Sequence, residues 1–197
     1  MFRLPWSTTK NASAPLALAL QGGGAHGAYT WGVLDRLLEA GVPIEGISGT
    51  SAGAMNAVAL AEGWTTSGAD GARAALDRFW TAVGDSVPFH LELLHNLNPP
   101  GDGSLPSPMN VMLGLARVFS PYQLNPFDLN PLRDVVEARF DFERIRSQCR
   151  LRLFIAATQV RTGKVRLFHT PELSADALLA SACLPTLHHA VEIDGEA

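Results

Sequence analysis

The pentapeptide Gly49-Thr50-Ser51-Ala52-Gly53 has the residue types and spacing of an exposed serine nucleophile. A G-x-S-x-G run between an apolar strand-like segment and an Ala-rich helix-like one forces a sharp turn. The turn pushes the serine into the open, and Gly49 and Gly53 keep it free of clashes. A serine hydroxyl is a weak nucleophile by itself. It needs a base within hydrogen-bond reach, and donors aimed at the charge that develops on the attacked carbonyl. Ser51 would stand at the mouth of a helix over residues 52–62, where free N–H groups and the helix dipole favour negative charge. The same residues also suit a tight turn with an N-cap, so the pentapeptide alone leaves both readings open.

A second glycine run, Gly22-Gly23-Gly24-Ala25-His26-Gly27, lies upstream, again between a strand-like and a helix-like segment. Successive glycines let the backbone present consecutive N–H groups to an anion, in a concavity that side chains would obstruct. Gly22, Gly23, Gly24 and Ala25 are therefore candidate oxyanion donors. The run also satisfies G-x-G-x-x-G, which gives a nucleotide-binding alternative. That alternative needs an acidic residue at the end of the next strand, roughly 20 residues on. Glu45 falls near the strand's start, and Ser48-Gly49-Thr50-Ser51 occupies its end.

The elements that must position these loops follow from apolar spacing. Residues 16–21 read as a short buried strand, and 28–40 as a helix with Trp31, Val33, Leu34, Leu37 and Leu38 on one side, stopped by Gly41. Residues 42–47 read as the next strand and 52–62 as a helix packed through Ala54, Ala57, Val58 and Ala61. This order predicts parallel strands with right-handed crossovers. In such a sheet, ligands gather at the carboxyl ends of the strands, which both glycine loops leave. A third helix is expected over 71–83. Helical patterns return at 129–139 and 173–183, strands are expected over 151–159, 164–169 and 191–193, and a turn at Arg161-Thr162-Gly163.

A tail is expected over residues 1–15 and one domain over 16–197. Between residues 88 and 131 there are eight prolines, interrupted by a helix-like run at 109–119. Apolar sequence continues on both sides, so this stretch predicts a lid-like insertion rather than a linker.

At 197 residues, 47% of them hydrophobic, the chain can bury a sizeable single core. The net charge of -4 lacks the basic footprint of a nucleic-acid binder. Cys149 and Cys183 are too few for a disulfide framework and suggest free buried thiols. The N-terminus has no charged segment leading into an apolar one, and nothing approaches the ~18 apolar residues of a membrane span. A cytoplasmic protein is expected, reaching any lipid from the membrane surface.

With these motifs in view, the chain resembles the patatin-like phospholipases. The resemblance rests on the Gly-rich loop at 22–27, the elbow at 49–53, and Ala180-Ser181-Ala182-Cys183-Leu184-Pro185, which matches the family's A-S-x-x-x-P block. It implies a three-layer α/β/α fold with a mostly parallel central sheet. It further implies a lipid acyl hydrolase with Ser51 as nucleophile in a Ser–Asp dyad, a fatty-acyl ester such as phospholipid as substrate, and no metal or cofactor. The chain departs from the family at His26, where Arg or Lys is common. The dyad aspartate belongs to a D-G-[GA] motif. Asp194-Gly195-Glu196 is the nearby candidate, with an aspartate beyond Ala197 as the favoured alternative.

Other bases are weaker. His188 and His189 follow the block and His169 ends a strand, whereas His90 and His95 lie in the proline-rich stretch. Asp70, Asp77, Asp85, Asp128, Asp134 and Asp141 suit helix caps and loops. A non-catalytic lipid- or partner-binding domain is the alternative if Ser51 has no base.

Overall fold

The computed structural model describes residues 14–86, 120–185 and 188–197. The tail expected over 1–15 lies outside them except for its last two residues. Most of the proline-rich stretch, with its helix-like run at 109–119, also lies outside, as do His90 and His95.

Four strands form one sheet in the order β1 (Leu16–Leu20), β2 (Ile44–Gly49), β3 (Arg152–Thr158), β4 (Val165–His169). The first three are parallel and β4 runs antiparallel to β3. Connection length explains the difference, because parallel neighbours need a crossover whereas a short turn permits only the antiparallel pair. The β1–β2 crossover is helix α1 (Gly27–Glu39), ended by Gly41 at φ +67°. The β3–β4 turn is the expected Arg161-Thr162-Gly163, with Gly163 at φ +66° and its N–H donating to the Gln159 carbonyl at 2.9 Å. The fold is thus α/β with a mostly parallel sheet, as expected. Register sets Leu20 beside Gly49, so β1 and β2 end together and both glycine loops leave the same edge.

The span α2 (Ala52–Ser86) holds both helices expected over 52–62 and 71–83, one on each side of a non-helical break. Its path bends at Ser67 (φ −149°, ψ 28°) and Gly68 (φ 62°, ψ −142°). The Thr65 and Thr66 hydroxyls donate to the carbonyls of Ala61 and Glu62 at 2.8 and 3.0 Å, within the turn before the bend. Beyond it the two halves press together, and a Cβ on Gly63 or Gly71 would run into the other's carbonyl. The first half is apolar all round and therefore buried all round. Ala52, Ala54, Met55, Ala57, Val58, Ala59, Leu60 and Ala61 are all in the core with Ile47, Leu153 and Ile155 of the sheet. Short alanine side chains let this helix sit close against β1, β2 and β3.

The remaining α-helices among the described residues are α3 (Pro121–Leu124), α4 (Pro131–Arg139), α5 (Phe142–Gln148) and α6 (Ala175–Ala182). Prolines at the first position of α3 and α4 suit the helix start, where an N–H has no partner in any case. α5 has no counterpart among the expected elements, since seven residues give too little periodicity to read. It starts where Asp141 accepts from the Arg144 N–H at 2.9 Å. Tertiary contacts then hold it: Arg144 forms an ion pair with Glu62, which is 7% exposed on α2, and Leu173 accepts from Arg146 at 2.8 Å. The strand expected at 191–193 reduces to a single bridge, Ile193 to Glu196. It closes a two-residue turn with Asp194 at φ 56° and Gly195 at φ 76°, the signs a type I′ turn requires.

Two predictions follow from this packing. Arg144→Met leaves the Glu62 carboxylate buried without its partner. Because Arg144 is itself one-third exposed, the loss is expected at about 2 kcal/mol, below the usual cost of breaking a fully buried pair. Denaturant unfolding measures it, and a loss under about 0.5 kcal/mol would show that solvent already screens the pair. The second concerns α1. Asp35 is bonded through both carboxylate oxygens to Arg73, at 2.7 and 3.2 Å, and this holds its carboxyl below the ordinary carboxylate value. A depressed folded value means the stabilisation is complete above the unfolded value of ~3.9 and is lost as pH falls through the folded one. Asp35→Asn should therefore lower stability at neutral pH and flatten its decline on acidification. An unchanged acid limb would count against the pair.

Candidate active site at the carboxyl edge of the sheet

β2 enters the elbow, turns at Ser51 and leaves as α2. Ser51 has φ +54°, one of three non-glycine residues with positive φ among those described. An L-residue holds that conformation only where its surroundings over-determine it. The glycines at either side are required by contact rather than by their own torsions. A Cβ on Gly49 would meet the Gly53 carbonyl oxygen at 2.6 Å, and one on Gly53 would strike the Leu20 carbonyl. The corner is closed by hydrogen bonds from Thr50 N–H to the Leu20 carbonyl (3.3 Å), Gly53 N–H to Thr50 (2.9 Å) and Met55 N–H to Ser51 (3.0 Å).

The Gly-rich loop packs directly against this corner. A Cβ on Gly22 would lie 3.1 Å from the Ser51 Cβ and 3.2 Å from the Thr50 carbonyl oxygen. Gly23 is extended, and Gly24, at φ +55°, begins a short 3-10 turn through His26. The amides of Gly22, Gly23, Gly24 and Ala25 have no hydrogen-bond partner among the described residues. His26 is exposed, and its Nδ1 lies 3.2 Å from the Gly23 carbonyl, so the ring braces the loop. The loop's far end is fixed from below. A Cβ on Gly27 would meet the Trp80 indole at 2.6 Å, and fully buried Asn56 donates to the Gly27 carbonyl (2.9 Å) while accepting from Trp80 Nε1 (2.8 Å). Asn56 and Trp80 are missing from the sequence reading. A polar residue five positions after Ser51 inside an apolar helix was the available signal.

The A-S-x-x-x-P block reaches the same corner through tertiary structure. Ser181, near the end of α6 and 9% exposed, accepts the Ser51 N–H at 2.9 Å. A cleft of about 590 Å³ opens alongside, lined by Thr50, Ala156, Ala157, Val165, Ser181, Cys183 and Val191 among others. Cys149 and Cys183 are free thiols, half-buried rather than buried. Burial, and then the nearby Asp128 carboxylate, pushes the Cys183 thiol up, which keeps it protonated; it contacts the His189 carbonyl at 3.3 Å.

The candidate bases stand elsewhere. Among the described residues none hydrogen-bonds the Ser51 hydroxyl. Asp194 sits in its turn three-quarters exposed and accepts from Arg166 of β4 at 2.9 Å. The ring of His189 stacks on Tyr122 at 4.1 Å and faces Asp128 at 3.6 Å, and that of His169 packs edge-on to Phe154. Asp141 is a cap as expected and Asp134 lies in the first turn of α4, but Asp77 and Asp85 fall inside the part of α2 that follows the break at Ser67–Gly68. Glu45, the acidic residue nearest to the nucleotide requirement, pairs with Arg152 of β3. Among the described residues no three His, Cys, Asp or Glu side chains gather as a metal site, and no helix is long and apolar enough to cross a membrane.

Comparisons with known proteins agree with this arrangement at the level of family. No curated protein matches the chain. Among solved structures, the ExoU–SpcU complex of the Pseudomonas aeruginosa type III secretion system aligns at TM-score 0.37 and 21% identity, over 85% of this chain and 36% of that one. VipD of Legionella pneumophila aligns at TM-score 0.45 and 16% identity, over 88% of this chain and 43% of that one. This chain therefore spans less than half the length of either. The profile of the patatin-like phospholipases matches residues 18–197, which include both glycine loops, the elbow serine and the A-S-x-x-x-P block. The chain belongs to the patatin-like phospholipase family.

Proposed function

We propose that the chain is a lipid acyl hydrolase in which Ser51 attacks the carbonyl carbon of a fatty-acyl ester. The Ser51 proton passes to a carboxylate base, the alcohol or lysolipid leaves, and water then hydrolyses the acyl-enzyme. The amides of Gly22, Gly23, Gly24 and Ala25 receive the oxyanion, with the N-terminus of α2 adding its dipole. The observation that carries this reading is the strained Ser51 corner set against a glycine loop whose amides have no partner among the described residues. The adjoining cleft, walled largely by Ala and Val side chains, is of the size that holds an apolar ligand segment. The substrate is a phospholipid or related ester met at a membrane surface, and no cofactor is required.

The base is an aspartate, and the bonding of Asp194 to Arg166 supports one beyond Ala197 over Asp194 itself. The same observation favours a second reading, a lipid-binding domain that keeps the elbow without a base.

Labelling by a fluorophosphonate probe separates the two. A chain extended beyond Ala197 through the D-G-[GA] motif should be labelled at Ser51, with Ser51→Ala abolishing labelling and lowering ester turnover by at least about 10³-fold. An extended, folded chain that is never labelled would favour the binding domain. Asp194→Asn should leave turnover within about two-fold of wild type, since it removes only an exposed ion pair. Loss of activity in a folded Asp194→Asn chain would instead make Asp194 the base.

A further inference from the structure

Ser181 and Ser51 are 130 residues apart in sequence and meet through a single hydrogen bond. The other bonds that close the Ser51 corner come from β1, the elbow itself and α2. Those elements all lie within residues 16–86 and form the corner's own framework. Among the described residues the Ser181 hydroxyl is the one side-chain acceptor for the Ser51 N–H. Its own placement is firm. α6 starts at Ser174, whose side chain accepts the Ala177 N–H at 3.1 Å, and its Ala177, Leu178 and Leu179 are buried in the core with Ile155 of β3.

We propose that Ser181 is a positioning residue for the nucleophile, holding Ser51 in its left-handed conformation by accepting the Ser51 N–H. The inference rests on the reading of Ser51 as nucleophile. Without the tether, the Ser51 N–H has no other acceptor among the described residues, and the corner loses a restraint against relaxing toward negative φ. Such a change swings the Cα–Cβ bond and carries Oγ away from the glycine loop. The tether has a chemical corollary. With its N–H engaged by Ser181, the Ser51 amide is not a donor to the oxyanion.

Three variants and two readouts test this. Ser181→Ala removes the acceptor, Ser181→Cys keeps the shape with a much weaker acceptor, and Ser181→Thr retains the hydroxyl. Fluorophosphonate labelling rate and kcat should fall by about 10–100-fold in Ser181→Ala and Ser181→Cys, with KM within about two-fold, because misplacing a reacting atom affects the chemical step more than binding. Ser181→Thr should restore most of the rate. Ser181→Cys labelled at the wild-type rate would overturn the proposal, showing that packing alone matters, and it serves if Ser181→Ala fails to fold. Hydrogen exchange at the Ser51 amide, read by NMR, gives the second readout. It should be slow in wild type and at least about ten-fold faster in Ser181→Cys. Fast exchange in wild type would refute the tether whatever the activity. Slow exchange, with no labelling of the wild-type chain extended through the D-G-[GA] motif, would uphold the tether and end the hydrolase reading instead.

Discussion

The site depends on one corner, where the backbone passes from β2 into α2 with Ser51 at positive φ. A left-handed non-glycine residue costs of order 1–2 kcal/mol, and here that cost is met by contacts that leave no room for a relaxed path. Gly49 touches Gly53, Gly53 lies on the Leu20 carbonyl, and Ser181 holds the Ser51 N–H. Each partner comes from a different element. The corner is therefore a property of the assembled sheet and helices, not of five residues in isolation.

From that corner the packing can be followed outward. β1 and β2 end in register, which sets the glycine loop against the elbow. Asn56, one turn into α2, fixes the loop's far end and also binds Trp80 from beyond the bend. The bend at Ser67–Gly68 thus serves the site, because it returns the second half of α2 to lie against α1 and under Gly27. Glu62 and Arg144 extend the same connection to α5. Small residues recur along this path because backbone approaches backbone at each crossing, and a single methyl group on Gly53, Gly63 or Gly71 would collide with a carbonyl.

The glycine loop and the elbow are complementary in charge logic. The amides of Gly22, Gly23, Gly24 and Ala25 have no acceptor among the described residues, and Gly22 packs against the Ser51 corner. The acidic groups, by contrast, are committed to other work: Asp194 to Arg166, Asp35 to Arg73, Asp141 to a helix cap, Glu62 to Arg144. That division leaves the surroundings of Ser51 free of any bonded carboxylate among the described residues, which is why the donors are easier to assign than the base.

The sequence by itself determined what depends on local spacing. The glycines at 22–24, 49 and 53 mark loops whose backbone needs room, alternating apolar and glycine-ended runs mark β1, α1, β2 and β4, and the A-S-x-x-x-P block marks the family. These signals are legible because strand, helix and turn preferences act over a few residues. Tertiary structure alone decided the rest. It folded the two helical parts of 52–86 against each other across the break at Ser67–Gly68, stabilised the short α5 through an ion pair with α2, and reduced 191–193 to a bridge closing a turn. It also set Asn56 beneath Gly27 and Ser181 against Ser51. Those contacts join residues 29 and 130 positions apart, and no periodicity along the chain encodes which distant side chain meets which amide.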